Sequence, residues 1–300
     1  MLRSAWLIIP LLIALAAGLL VFGVSRAPEA AQATPDDQGP RIVALSPAIA
    51  VILTDLGEQD RIVGRAGSDT HLPGSIPVAG DYNGIDYERL LRLRPTHILL
   101  ERNAQDPPDR LLSLAKEHNW KIRTYPMLAL DDIPVSVNRL AVEFADPQGR
   151  AWASRWKSEF DALFAERSES IRNAGTVLPL YWSSPPGIAG PGSFHAEILE
   201  RLGFDLAITE GGPYIVADPE DLLRLQPDSI LLLIPGGDPN RINELLGPLA
   251  DLDLRAIREG RVALVRNEMT HLPATSILDL VREILDATAP WETQATATAE

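Results

Sequence analysis

Short apolar runs alternate along this chain with segments whose apolar residues recur at helical spacing. Ile42–Leu45, Arg61–Gly64, Thr96–Leu100 and Ile122–Tyr125 read as buried strands, while Glu88–Leu93 and Arg110–His118 between them carry the helical period. The alternation returns with strands at Thr176–Tyr181, Ser229–Ile234 and Arg261–Val265. Strands separated by helices imply parallel sheets covered on both faces, so the predicted fold class is α/β.

The middle of the chain has a different pattern. Asp146-Pro147 is a helix start, an N-cap acid followed by proline at the first helical position. Trp152, Trp156, Phe160, Leu163, Phe164 and Ile171 then form one apolar stripe that continues to Asn173. A helix of that length measures about 40 Å and is too long for a crossover within one lobe. It predicts a spine joining two doubly wound parallel-sheet lobes.

An internal repeat supports two related lobes. The segment Asp86 to Pro95 and the segment Asp218 to Pro227 share the frame D-x-E-x-L-L-R-L-x-P, and each is followed by two residues and a strand. Asp86 and Asp218 are expected N-caps, both leucine pairs are expected to face the sheet, and Pro95 and Pro227 end the helices. Glu88 and Glu220 then stand at the second position of each helix.

Composition narrows the function classes. At 300 residues the chain suits two modest lobes, and its 46% apolar and 23% charged residues are ordinary globular values. A net charge of −14 argues against nucleic acid, whose phosphates need a basic face. The absence of cysteine removes disulfides, thiolate metal sites and cysteine nucleophiles.

Arg3 precedes an apolar run from Ala5 to Val24, and Ala31-Gln32-Ala33 is a cleavage candidate. The run fits either a long export signal or a retained inner-membrane anchor. Residues 1–40 are therefore read as leader and tether, 41–145 as the first lobe, 146–174 as the connecting helix, 175–290 as the second lobe and 291–300 as a tail.

With these pieces in order, the sequence resembles the class III periplasmic binding proteins, which serve importers of cobalamin, haem and ferric siderophores. The resemblance rests on Arg41-Ile42-Val43-Ala44-Leu45-Ser46-Pro47, Asp60-Arg61-Ile62-Val63-Gly64, Val78-Ala79-Gly80, the repeated helix-plus-strand unit and the long helix, and spans Arg41 to Ala287. It implies a monomeric, extracytoplasmic carrier that docks on the permease subunit of an ABC importer. In that family one glutamate per lobe docks into arginine pockets of the permease, and the matching positions are Glu88 and Glu220.

The ligand of such a fold binds outside the carboxyl ends of the strands. Loops there hold a large share of the sparse aromatic supply, 6% of residues overall. Tyr82, Trp182, His195, Tyr214 and His271 are the expected cleft-lining residues, suited to a flat, partly apolar metal chelate or corrinoid. His97 and His118 are expected to be structural. His195 or His271 could instead ligate haem iron or a metal held by a chelator. No histidine pair has metal-site spacing, no phosphate-binding or nucleophile motif is present, and no catalytic residue or resident cofactor is expected. Two alternatives stay open, a membrane-anchored sensor of the same ligands and a metal-binding hydrolase.

Overall fold

The first lobe opens on β1, Ile42–Ala44, fully buried, and Ser46 then caps α1, Pro47–Asp55, by accepting from the Ile49 amide at 3.2 Å. After β2, Ile62–Ala66, come the edge strands β3, Val78–Asp81, and β4, Gly84–Ile85. Next come α2, Tyr87–Leu93, β5, His97–Glu101, α3, Asp109–His118, and β6, Lys121–Tyr125. These strands form one sheet in the order β4-β3-β2-β1-β5-β6, parallel except for the β3–β4 pair. The strand order reverses between β1 and β5. There Ser46 Oγ donates to Glu101 Oε1 at 2.5 Å. This computed structural model describes residues 39–81, 84–101, 106–165, 171 and 174–291.

Two helices connect the lobes: α4, Asp132–Phe144, and α5, Pro147–Leu163, which pack on each other. Asp146 caps α5 as expected, accepting from the Gly149 amide at 2.8 Å. The helix is shorter than its stripe implied. It has 17 residues, about 25 Å, because Phe164 leaves helical geometry at ψ 0°. The Phe164 ring turns edge-on to Phe160 at 5.3 Å and lies under the Arg201 guanidinium at 5.4 Å. Most of the expected continuation to Asn173 lies outside the described residues.

The second lobe follows with β7, Thr176–Ser183, β8, Pro186–Ala189, α6, Phe194–Leu202, β9, Asp205–Leu206, and β10, Tyr214–Val216. It continues through α7, Pro219–Leu225, β11, Ser229–Leu233, α8, Ile242–Leu246, α9, Arg255–Arg258, β12, Val262–Val265, and α10, Ile277–Thr288. Its sheet runs β10-β8-β7-β11-β12, with β9 beside the start of β7. β7, β11 and β12 are parallel, and β8 is antiparallel to both β7 and β10.

The repeat is visible in three dimensions. α2 and α7 have seven residues each, and both end on a non-glycine residue in the left-handed region, Arg94 at φ 46° and Gln226 at φ 48°. Gln226 is held there by its side chain, which donates to the Leu223 and Asp253 carbonyls and accepts from the Arg255 amide. The leucine pairs do not both face the sheet. Leu90 and Leu222 are fully buried, whereas Leu91 and Leu223 are 40% and 37% exposed. Successive helix residues point about 100° apart, so a seven-residue helix on a sheet buries only one of two neighbours.

The lobes share one apolar core. A single cluster runs from Ile42, Leu53 and Ile133 through Trp156 and Phe160 to Val177, Leu231 and Leu280. Polar ties cross it. Trp156 Nε1 donates to the Thr275 carbonyl at 2.9 Å, and the Thr275 hydroxyl donates to Asp55 of α1. Glu197 of α6 accepts from the Leu130 amide at 2.6 Å, and Arg201 pairs with Asp131 at 2.8 Å.

Candidate functional site

The carboxyl ends of β7, β11 and β12 converge on one group of rings. β7 ends in Tyr181 and Trp182, and its hairpin to β8 places Gly187 opposite Trp182. A Cβ on Gly187 would stand 2.6 Å from Trp182 Cε2, so the glycine lets the indole lie flat on the hairpin. β10 lies on the far side of β8 and brings Tyr214 to 5.5 Å from Trp182, the two rings tilted by 45°. Trp182 and Tyr214 are 42% and 48% exposed, a large apolar area for two neighbouring rings. His271 enters from the loop after β12 and stands edge-on to Tyr181 at 5.2 Å.

Tyr181 is the hub of this group and touches all the other rings: Trp182, His195, Tyr214 and His271. Its hydroxyl bonds to His195 Nδ1 at 3.0 Å. His195 Nε2 lies 2.8 Å from the Thr270 carbonyl, which can only accept, so Nε2 carries the proton and Nδ1 accepts from the phenol. Burial pushes the Tyr181 phenol up to about 12 and the His195 imidazole down to about 3.

Of the residues expected to line the cleft, Trp182 and Tyr214 are exposed and in contact with each other, and His271 is exposed and joins them through Tyr181. His195 was expected on the wall and stands one layer behind it, 2% exposed. Ser193 caps α6 by accepting from the Ala196 amide, which puts His195 in the first turn with its ring toward the interior, 3.8 Å from Phe194. Both of its nitrogens are engaged, so it supports Tyr181 and has no lone pair for a metal. Tyr82 lies outside the described residues. Reasoning from sequence left Tyr181 out of the favoured set. The available signal was its place beside Trp182 at the end of a strand.

The remaining sites are simpler. Glu88 and Glu220 are exposed at the starts of α2 and α7, without an ion-pair partner among the described residues. His97 is buried, bonded to Thr96 Oγ1 at 2.8 Å and edge-on to Phe144. His118 stacks on Trp120. No group of three metal-ligating side chains occurs among the described residues. Cavities of 340 Å³ and 630 Å³ lie along α5, against α1 with α10 and against α4, but helix surfaces line them and they hold none of these rings.

The buried histidine makes stability depend on pH. In the folded chain His195 stays neutral down to about pH 3, whereas unfolded it takes a proton near 6.5. Between these values the unfolded state binds more protons, so stability falls as pH drops, by up to about 1.4 kcal/mol per pH unit. Urea midpoints at pH 7 and pH 4 are expected to lie closer together in His195→Gln than in the wild type. An equal spread in both would show that His195 does not titrate this way.

Residues 42–118 match the family profile described as periplasmic binding protein. The periplasmic vitamin B12 binding protein BtuF of Vibrio cholerae superposes with a TM-score of 0.69 at 20% identity, over 84% of this chain and 98% of that one. The fold is that of a periplasmic binding protein. The periplasmic heme-binding protein RhuT from Roseiflexus sp. RS-1 matches with a TM-score of 0.61 at 20% identity, over 86% and 99% of the two chains. The siderophore binding protein FhuD from Vibrio cholerae, solved with Fe3+-Desferal, matches at 0.63 and 17%, over 83% and 97%. No curated protein sequence matches the chain. The resemblance to the class III binding proteins thus holds for the fold of both lobes, and the matched family and structures are binding proteins rather than enzymes. Among the described residues no helix is long and apolar enough to cross a membrane; the expected leader or anchor lies outside them.

Proposed function

We propose that this chain is an extracytoplasmic carrier that captures a flat, partly apolar chelate or tetrapyrrole between its lobes and delivers it to an ABC importer. The observation that carries the reading is the aromatic wall at the strand ends of the second lobe, exposed Trp182 and Tyr214 backed by half-buried Tyr181. That is where doubly wound sheets bind ligands, and neutral ring faces suit a broad planar surface. Similar chains bind vitamin B12, haem and an iron siderophore, three ligands that each hold a metal in an organic frame. Docking on the permease is assigned to Glu88 and Glu220, one on each lobe. The continuous core under both lobes would keep their separation nearly fixed.

Thermal unfolding of the chain with cobalamin, ferric protoporphyrin and several ferric siderophores tests the ligand class. A ligand at 100 times its Kd adds about 2.7 kcal/mol, which at this size raises Tm by about 5–10 °C. A shift with one of these supports the carrier reading. A shift with free zinc or manganese alone, or none with any compound, rejects it.

A further inference from the structure

The two histidines behind and within the aromatic wall are in different bonding states, and we infer that His271 coordinates the metal of a planar tetrapyrrole through Nδ1. The inference rests on the carrier reading and narrows its ligand class.

A histidine ligand needs a lone pair at the site and a ring held in one orientation, commonly by its other N–H donating to a carbonyl. His271 has both. Its Nε2 lies 2.8 Å from the carbonyl of Leu233, which ends the buried strand β11, so Nε2 carries the proton. The lone pair is then on Nδ1, which has no hydrogen-bond partner among the described residues. The edge-on contact with Tyr181, at 88° between ring planes, fixes the tilt of the imidazole. The other histidine of the group is already used, which leaves the exposed Tyr214 phenol as the competing donor. His195 spends one nitrogen on Thr270 and the other on Tyr181, whose hydroxyl proton is committed to that bond.

One imidazole cannot hold a bare ion, and no group of three ligating side chains exists among the described residues. The metal must therefore arrive with most of its ligands and one open position. A hexadentate chelate fills every position of its iron and offers none. A planar macrocycle leaves its axial positions free and presents a face to Trp182 and Tyr214.

Titration of the full-length chain with ferric protoporphyrin, followed by absorption, tests this. The wild type is expected to give the Soret and visible bands of imidazole-bound iron. His271→Ala and His271→Gln are expected to lose those bands and to weaken binding by about 10-fold or more, and added imidazole should restore the bands. Glutamine keeps a donor for the Leu233 carbonyl, so it covers the case in which alanine unfolds the loop. Metal-free protoporphyrin should bind wild type and variants alike. Unchanged bands and affinity in both variants would overturn the inference, as would loss of the bands in Tyr214→Phe but not in His271→Ala. A wild type that binds cobalamin or a ferric siderophore but not the iron porphyrin defeats the inference and leaves the carrier reading intact. A chain that binds none of them defeats both.

Discussion

Replacing Glu88 and Glu220 together by alanine is expected to abolish uptake in cells while leaving ligand affinity within about twofold. Each carboxylate is exposed, stands in the first turn of a seven-residue helix, and has no ion-pair partner among the described residues. Its local value to the fold is the favourable placement of an acid at a helix start, about 0.3–1 kcal/mol. The N-caps that secure the helices are Asp86 and Asp218, which the double variant keeps. A two-point charge pair on separate lobes sets register against a partner with matching positive pockets, and loss of both points removes the register. Uptake of labelled ligand, with Kd measured on the purified variant, distinguishes the outcomes. Uptake at wild-type rate would remove these residues from docking, and a large loss of affinity would move them into the binding site.

The second large effect is on stability. Trp156→Ala is expected to cost about 3–5 kcal/mol and to lower Tm by about 10 °C. Trp156 is 4% exposed, stacks on Phe160 at 5.4 Å, and its Nε1 donates to the Thr275 carbonyl of the second lobe. Removing the ring opens a cavity at the centre of the shared core and leaves that carbonyl without its donor. Trp156→Phe keeps most of the volume but not the hydrogen bond, so a smaller loss for it separates the two causes. A Tm change below 3 °C in the alanine variant would show that the lobes do not depend on this contact.

Elements whose cause is local were legible in the sequence. The apolar run at Ile42 can only be a buried strand, and the acid, leucine and proline of the repeat mark each end of α2 and α7. What the sequence concealed depends on partners far along the chain. β8 and β10 are short antiparallel strands, Pro186–Ala189 and Tyr214–Val216, whose pairing is set by β7 and by each other and not by their own pattern. The helix α1 is absent from the elements predicted above, although Ser46-Pro47 is an N-cap followed by proline at the first position. At the site, the rings of Trp182, Tyr214 and His271 were legible as a group because strand ends gather in this fold. The separate roles of the two histidines were not. They follow from the carbonyls of Thr270 and Leu233, 75 and 38 residues distant, which dictate where each proton sits.

The shared core also bears on how the protein would part with its cargo. Lobes that swing open need a seam, and here the path from Ile42 to Leu280 runs through Trp156 and Phe160 without one. Opening would wet side chains that are otherwise dry, so thermal motion alone yields little change in the cleft. Under the proposed carrier reading, dwell time would then be a property of the wall, not of a closing lid. A partner that empties such a carrier would have to compete for the ligand or strain both lobes together, and a grip on the two ends would supply the lever.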